Sequence, residues 1–222
     1  DPTIAEVGGV TAIGLALSYL ATGLCAAMMP PELQGRPDVT AHQFWMVLSQ
    51  DPTAHLAFHW AWVCVGFFGL AAVPAISLLV WPSHRGAVLW AGAAAFYGFA
   101  VNARSHLMEV AFDRKVIPHY AQASEAFQEA VHVVAGLALD VPDGVLTYGA
   151  VGVWVLVVSW LARRDRLLPR PLCVLGFVSG LAYLCGVVGY GFQMRPCLVL
   201  SIAVGGTLTP VFYASIGIRL LR

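Results

Sequence analysis

Seven mostly apolar stretches constrain the fold of this chain more than any other feature. Crossing the roughly 30 Å hydrocarbon core of a bilayer takes a helix of about 20 residues. The predicted spans are residues 4–29, 54–80, 87–110, 124–139, 145–162, 172–192 and 198–221. The chain is 59% apolar and only 11% charged, whereas soluble domains carry roughly 25% charged residues. We therefore expect an all-α, polytopic transmembrane helix bundle, with residues 1–222 as a single integral-membrane domain.

The segment 124–139 determines whether the bundle has seven spans or six. It is the shortest of the predicted spans, carries Glu125 and Glu129 in its first turns, and is followed by the helix-breaking sequence D-V-P-D-G at 140–144. Seven spans place ten of the 12 Lys and Arg residues, Arg36 among them, on one side, whereas six spans give at best a seven-to-five division. The positive-inside rule therefore favours seven spans, with the amino terminus outside and the carboxy terminus in the cytoplasm.

Charge composition and cysteine spacing narrow the functional classes. The 12 basic residues are balanced by 12 acidic ones, so nothing predicts a nucleic-acid partner. Arg outnumbers Lys eleven to one, which suggests a GC-rich genome and a bacterial inner-membrane protein. Its expected partners are the lipid bilayer and other membrane subunits. The five cysteines contain no C-x-x-C pair, so neither a zinc knuckle nor a redox pair is predicted.

The segment 104–132 gathers ionisable side chains between two apolar segments. Ionisable groups at or just inside a membrane boundary are costly and are functional candidates by default. In the seven-span topology six of the seven histidines lie near one membrane face, with His84 alone near the other. The sequence therefore predicts a functional cluster at that face.

The spacing within this cluster suits a metal site. His55-x-x-x-His59 and His106-x-x-Glu109 each place two ligands on one helical face. A Glu-x-x-His unit ending at His132 matches the pair that di-metal carboxylate proteins project inward from a helix bundle. Imidazole with carboxylate suits Zn, Fe or Mn, and a borderline site would bind Cu. The candidate metal ligands are His55, His59, His106, Glu109, Glu129 and His132.

Two other interpretations compete with a metal site. Histidine, glutamate and arginine at helix ends also cap helices, form ion pairs or extend to the membrane interface. A haem or pigment would instead use imidazoles about a turn inside the membrane, and His59 and His132 are the best-placed candidates for binding such a cofactor. No P-loop, G-x-S-x-G or G-x-G-x-x-G motif occurs in the sequence.

Parts of the carboxy-terminal half resemble a known family. F-Q-E-A-V at 127–131 and R-D-R-L-L-P-R-P-L-C-V-L-G, which ends at Gly176, each begin an apolar run. In these features the chain resembles DUF4386-type bacterial membrane proteins, a family of undefined function. The resemblance implies a membrane fold and no activity.

Two functions follow from these patterns. The first is a non-catalytic accessory or structural subunit packed within a larger bacterial membrane complex, for example an energy-converting one. It is favoured by the lack of a catalytic motif and by small-residue helix faces. The alternative is a membrane-embedded metal- or haem-dependent oxidoreductase that uses the His/Glu cluster at one membrane face.

Overall fold

The structure, a computed structural model, describes residues 2–34, 38–138, 142–192 and 194–222. These residues form eight α-helices and a 3-10 turn at Pro31–Leu33, with no strand among them. The helices are α1 (Pro2–Met28), α2 (Ala41–Gln50), α3 (Thr53–Leu78), α4 (Trp81–Tyr120), α5 (Glu125–Ala138), α6 (Pro142–Arg164), α7 (Arg170–Gly191) and α8 (Arg195–Leu220). The predicted all-α membrane bundle is confirmed.

Six of the described helices are long and apolar enough to cross a membrane, namely α1, α3, α4, α6, α7 and α8. The fourth predicted span corresponds to α5, which has 14 residues. At 1.5 Å per residue it is about 21 Å long, less than the roughly 30 Å hydrocarbon core. The structure therefore has the six-span arrangement that the sequence offered as its alternative.

A hydrogen bond between two distant connections supports six crossings. His84 Nε2, in the first turn of α4, lies 2.9 Å from Asp165 Oδ2 in the α6–α7 connection, so the α3–α4 and α6–α7 connections lie at the same end of the bundle. Seven spans would have placed these connections on opposite faces, and that expectation is corrected. Gly9 of α1 also packs against Gly217 of α8, so the helix ends nearest the two termini lie at the same end of the bundle, whereas seven crossings would place the termini on opposite sides.

The six long helices form a closed ring. Each packs against two neighbours, in the order α1, α3, α4, α6, α7, α8 and back to α1. Small residues set the close spacing, as the Gly176-x-x-x-Gly180 face of α7 shows. A side chain at Gly176 would collide with Ser159 of α6 and Phe212 of α8. This glycine motif therefore acts in helix packing.

A smaller unit, here called the cap, covers the end of the ring where α3 begins and α4 ends. It consists of the 3-10 turn, α2, α5 and residues 111–120 of α4. Its core contains Trp45, which is 4% exposed and packs edge-on against Phe112. Helix α4 is kinked at His84, and its residues 85–120 alone extend about 54 Å, well beyond the roughly 30 Å hydrocarbon core, so this helix continues from the ring into the cap. The helix runs ten residues past residue 110, where the predicted span ended.

Two sequence features used in the topology prediction fall outside the described residues. One is Arg36, which entered the count of basic residues. The other is the start of the D-V-P-D-G sequence at residues 140 and 141.

Candidate metal centre

The first turns of α3 place two histidines side by side. Asp51 Oδ1 accepts a hydrogen bond from the backbone N–H of Thr53, 3.0 Å away, which stabilises the start of the helix and lowers the pKa of this exposed carboxyl. His55 and His59 follow four residues apart, so their rings share one helical face. Both are buried, at 8% and 7% exposure, and their Nε2 atoms are 3.1 Å apart.

Helix α4 presents three further groups to this face. His106, Glu109 and Asp113 are spaced i, i+3 and i+7, so they lie along one side of the helix. The two helices approach closely, because a side chain at Gly66 of α3 would collide with Ala103 of α4. Asn102 Nδ2 of α4 also donates a hydrogen bond of 2.7 Å to the backbone carbonyl of α3 at Trp62. These contacts hold the two helices in the register that brings the polar faces together.

His59, His106 and Glu109 form a first triad. The Nδ1 atoms of the two histidines are 2.9 Å apart, and Glu109 Oε2 lies 3.1 Å from His106 Nδ1. The same carboxylate oxygen contacts His59 Nδ1. Each of the three atoms therefore lies beside both of the others.

His55, His59 and Asp113 form a second triad, which uses the other ring nitrogen of His59. His55 Nε2 lies 3.1 Å from His59 Nε2 and 3.2 Å from Asp113 Oδ2. Asp113 is 3% exposed, yet this oxygen accepts no hydrogen bond from the described residues. A buried carboxylate oxygen without a hydrogen bond is costly, which favours a cation as its partner.

The spacing of the atoms in both triads suits a metal ion. In each triad the three ligand atoms lie within 4.8 Å of one another. Ligands bound at about 2.0–2.2 Å from an ion are themselves separated by about 3–3.5 Å. The four separations given above, 2.9–3.2 Å, match this geometry. His59 is the one residue that both triads share.

The structure brings together four of the six predicted ligands, His55, His59, His106 and Glu109. Glu129 is exposed on α5 and belongs to neither triad. His132 Nε2 instead lies 2.6 Å from the Tyr120 hydroxyl, inside the cap. The assignment of these two residues as ligands stays a prediction.

A haem or pigment centred on His59 and His132 finds less support in this geometry. An axial ligand needs a ring nitrogen that faces the iron. Both nitrogens of His59 instead face neighbouring histidines about 3 Å away, and His132 is occupied by Tyr120.

Sequence reasoning missed Asp113. The predicted span ended at residue 110, so this carboxylate was assigned to a loop. A signal was present, because His106, Glu109 and Asp113 recur with the period of a helix face. Continuing the helix by one turn would have found the second triad.

Aromatic rings surround the triads and connect them to an internal cavity. The indole of Trp62 stacks on the His106 ring, with centroids 5.5 Å apart and planes 17° apart. Phe58 packs edge-on against His59 at 5.3 Å. A cavity of about 640 Å³ lies inside the helix ring and reaches His55 and His59. The centre therefore has an apolar wall and an open side.

Comparisons with protein-family models, with curated proteins and with solved structures found no match to this chain. The resemblance to DUF4386-type membrane proteins therefore stays a prediction.

Proposed function

We propose that this chain is a membrane-embedded metalloenzyme of the oxidoreductase class. The observation that carries the proposal is the pair of triads joined at His59. One imidazole offers Nδ1 to the first triad and Nε2 to the second. Bound as an imidazolate, with its remaining ring proton released to solvent, this single residue would connect two ions.

The composition of each triad supports a catalytic rather than a structural ion. Each contains two histidines and one carboxylate. Two histidines with one carboxylate form the ligand set of non-haem Fe(II) oxygenases, which keep coordination positions open. Structural zinc sites instead use four protein ligands and are closed. The cavity beside His55 and His59 supplies space for a substrate at the open positions.

The accessory-subunit function stays a second, untested prediction. Exposed apolar residues are numerous on the long helices, for example Leu89 and Trp90. In a membrane protein such residues contact lipid, so their exposure does not mark a subunit interface. The triads thus favour the metalloenzyme.

We further propose a bacterial inner membrane as the location, with the cap on the outer side. With six crossings, the sequence positions of the 12 Lys and Arg residues assign seven of them to the membrane side that carries the termini and five to the side of the cap. The positive-inside rule then places both termini in the cytoplasm. The earlier preference for an outside amino terminus depended on a seventh crossing.

Metal analysis of the purified protein tests the proposed function. We expect up to two transition-metal ions per chain, with iron as the principal ion. Elemental analysis by inductively coupled plasma mass spectrometry measures this content. His59→Ala is expected to remove most of the metal, since it takes one ligand from each triad. His84→Ala is the matched control, because that histidine lies at the far end of the bundle and is expected to leave the metal content unchanged.

The amount and the identity of the bound metal test two claims separately, namely that the protein holds a metal and that this metal is redox-active. Wild-type protein purified without stoichiometric metal contradicts the metalloenzyme. Zinc in place of iron retains the metal centre and refutes a redox change at the metal, because zinc does not change its oxidation state.

A further inference from the structure

The seam between α1 and α8 is closed at one end and open at the other. Near the termini, a side chain at Gly9 would collide with Leu221, and one at Gly217 would collide with Ile13. Toward the cap, a side chain at Gly23 of α1 or Gly206 of α8 would meet no described atom within 4 Å. The two helices therefore diverge toward the end of the ring that holds the metal centre.

The open part of the seam lies directly beside the internal cavity. Gly23 and Gly206 both line that cavity, as do His55 and His59. The cavity thus runs from the gap between α1 and α8 to the buried imidazoles of His55 and His59. Gly205 of α8 also lines the cavity and faces open space, so all three such glycines in the described lining lie on α1 and α8.

The outer surface around this gap is apolar. Leu20 and Leu24 on α1 are 51% and 63% exposed, and Val199 and Ile202 on α8 are 57% and 64% exposed. On a membrane-spanning helix these side chains face the acyl chains of the bilayer. The gap therefore opens sideways into lipid.

The lining of the cavity includes four tyrosines as well as His55 and His59. The hydroxyls of Tyr19 and Tyr183 are 2.5 Å apart, and Tyr148 stacks on Tyr190. The described lining contains no Lys, Arg, Asp or Glu. A ligand with a charged head would consequently find no fixed opposite charge there apart from a metal ion at the triads.

We propose that the cavity binds a single-chain amphiphile, such as a fatty acid or its ester, which enters from the bilayer between α1 and α8. Its alkyl chain lies in the seam, and its oxygen-bearing head reaches His55 and His59. The inference rests on the proposed metal centre for recognition of the head. The cavity volume of about 640 Å³ falls within the roughly 300–1,000 Å³ of small-molecule sites, which suits one chain and a small head.

Photo-crosslinking tests this inference on the full chain in nanodiscs. The probe is palmitic acid with a diazirine on its chain and a terminal alkyne, and labelled peptides are identified by mass spectrometry. We expect labelling of α1 and α8 near Gly23 and Gly206 that excess unlabelled palmitic acid removes. Labelling that excess palmitic acid does not reduce reflects bulk lipid and overturns the proposal.

Two substitutions that fill the gap sharpen the test. Gly206→Leu and Gly23→Leu each add a side chain where no described atom lies within 4 Å, so both are expected to fold and to reduce competitive labelling at least fivefold. Gly86→Leu makes the same chemical change in equally open space, on α4 at the opposite end of the bundle. Its labelling is expected to equal that of the wild type.

Metal content measured on the same samples separates this inference from the proposed function. Lower labelling of the seam variants with unchanged metal supports the amphiphile site. Equal labelling of wild type and both seam variants overturns it, whether or not metal is bound. Labelling that depends on Gly206 in a protein without metal upholds the cavity as the binding site of the chain and refutes the metalloenzyme.

Discussion

At the scale of single residues, His59 is the residue that joins the two triads. Its two ring nitrogens face different carboxylates, Glu109 through the first triad and Asp113 through the second. A residue that only capped a helix or lay at the interface would not need neighbours on both nitrogens. The carboxylates distinguish the two triads, because each belongs to one of them alone.

Substitution of the carboxylates one at a time tests the sharing of His59. Glu109→Gln and Asp113→Asn preserve shape but remove the negative charge that a metal ligand supplies. Each is expected to lower the metal content by about one ion per chain and to weaken metal affinity by about 10–100-fold or more, whereas His59→Ala removes both ions. Elemental analysis and equilibrium dialysis measure the effect.

Glu129→Gln is the matched control for this series. Glu129 lies on α5, outside both triads, and its substitution is expected to leave the metal content as in the wild type. Loss of metal from Glu129→Gln would show that Glu129 of α5 contributes to metal binding. Equal metal in all variants would show that neither carboxylate binds an ion.

At the scale of elements, the cap depends on two helices that are too short to be stable alone. Helix α2 has ten residues and begins with the capping box of Thr40 and Gln43. Isolated helices shorter than about 12–15 residues are marginal in water, so α2 must gain its stability from packing. Trp45, the buried aromatic at its centre, makes that contact with α4.

Trp45→Ala is expected to unfold α2 locally while the six-helix ring stays intact. Removal of a buried Trp costs about 3–5 kcal/mol, which corresponds to at least about a hundredfold faster amide exchange in α2 if the opening is local. Hydrogen exchange followed by mass spectrometry measures this. Exchange in α6 is expected to stay unchanged, as is exchange in Gln50→Ala, which alters an exposed residue of α2. Slow exchange of α2 in Trp45→Ala would show that the cap has another anchor.

The sequence predicted the long helices well and the short ones poorly, for physical reasons. A run of some 20 apolar residues has few alternatives to a membrane helix, so five predicted spans match long helices closely. The sixth, α4, was ended too early because Asp113, Arg114 and Lys115 are charged. Its continuation is held by Val116 and Tyr120 in the core of the cap, a tertiary contact that no apolar run reveals.

The candidate site was also predicted only in part from the sequence. Spacing alone placed His55 with His59, and His106 with Glu109, on common helix faces. It could not show that the two faces meet, since that depends on the close approach of α3 and α4 at Gly66. Glu129 and His132 were grouped with them because α5 was taken as a span. Its short length moves both residues into the cap.

At the scale of the whole molecule, the number of crossings determines which connections share a membrane side. His84 and Asp165 are hydrogen-bonded, so the helix ring has the α3–α4 and α6–α7 connections at one end and the cap at the other. Counts of basic residues pointed to seven crossings only because α5 was included as a span.

Side-specific cysteine labelling tests this arrangement. In a background without the native cysteines, Gly86→Cys and Arg166→Cys are expected to react with a membrane-impermeant maleimide from the same side. Gln122→Cys, an exposed position in the cap, is expected to react from the opposite side. Seven crossings would instead place Arg166 and Gln122 on one side of the membrane and Gly86 on the other. The grouping of the three positions therefore decides between the two topologies.

The ring order has a consequence for how the protein is made. Helices α1 and α8 are the first and last of the long helices in the chain, yet they are neighbours in the ring. The seam between them can form only after α8 has been synthesised. Both triads, by contrast, lie on the consecutive helices α3 and α4, so all of their side chains are present once residue 113 has been translated. The proposed metal centre could therefore take up an ion before α8, which forms part of the cavity wall, has been synthesised.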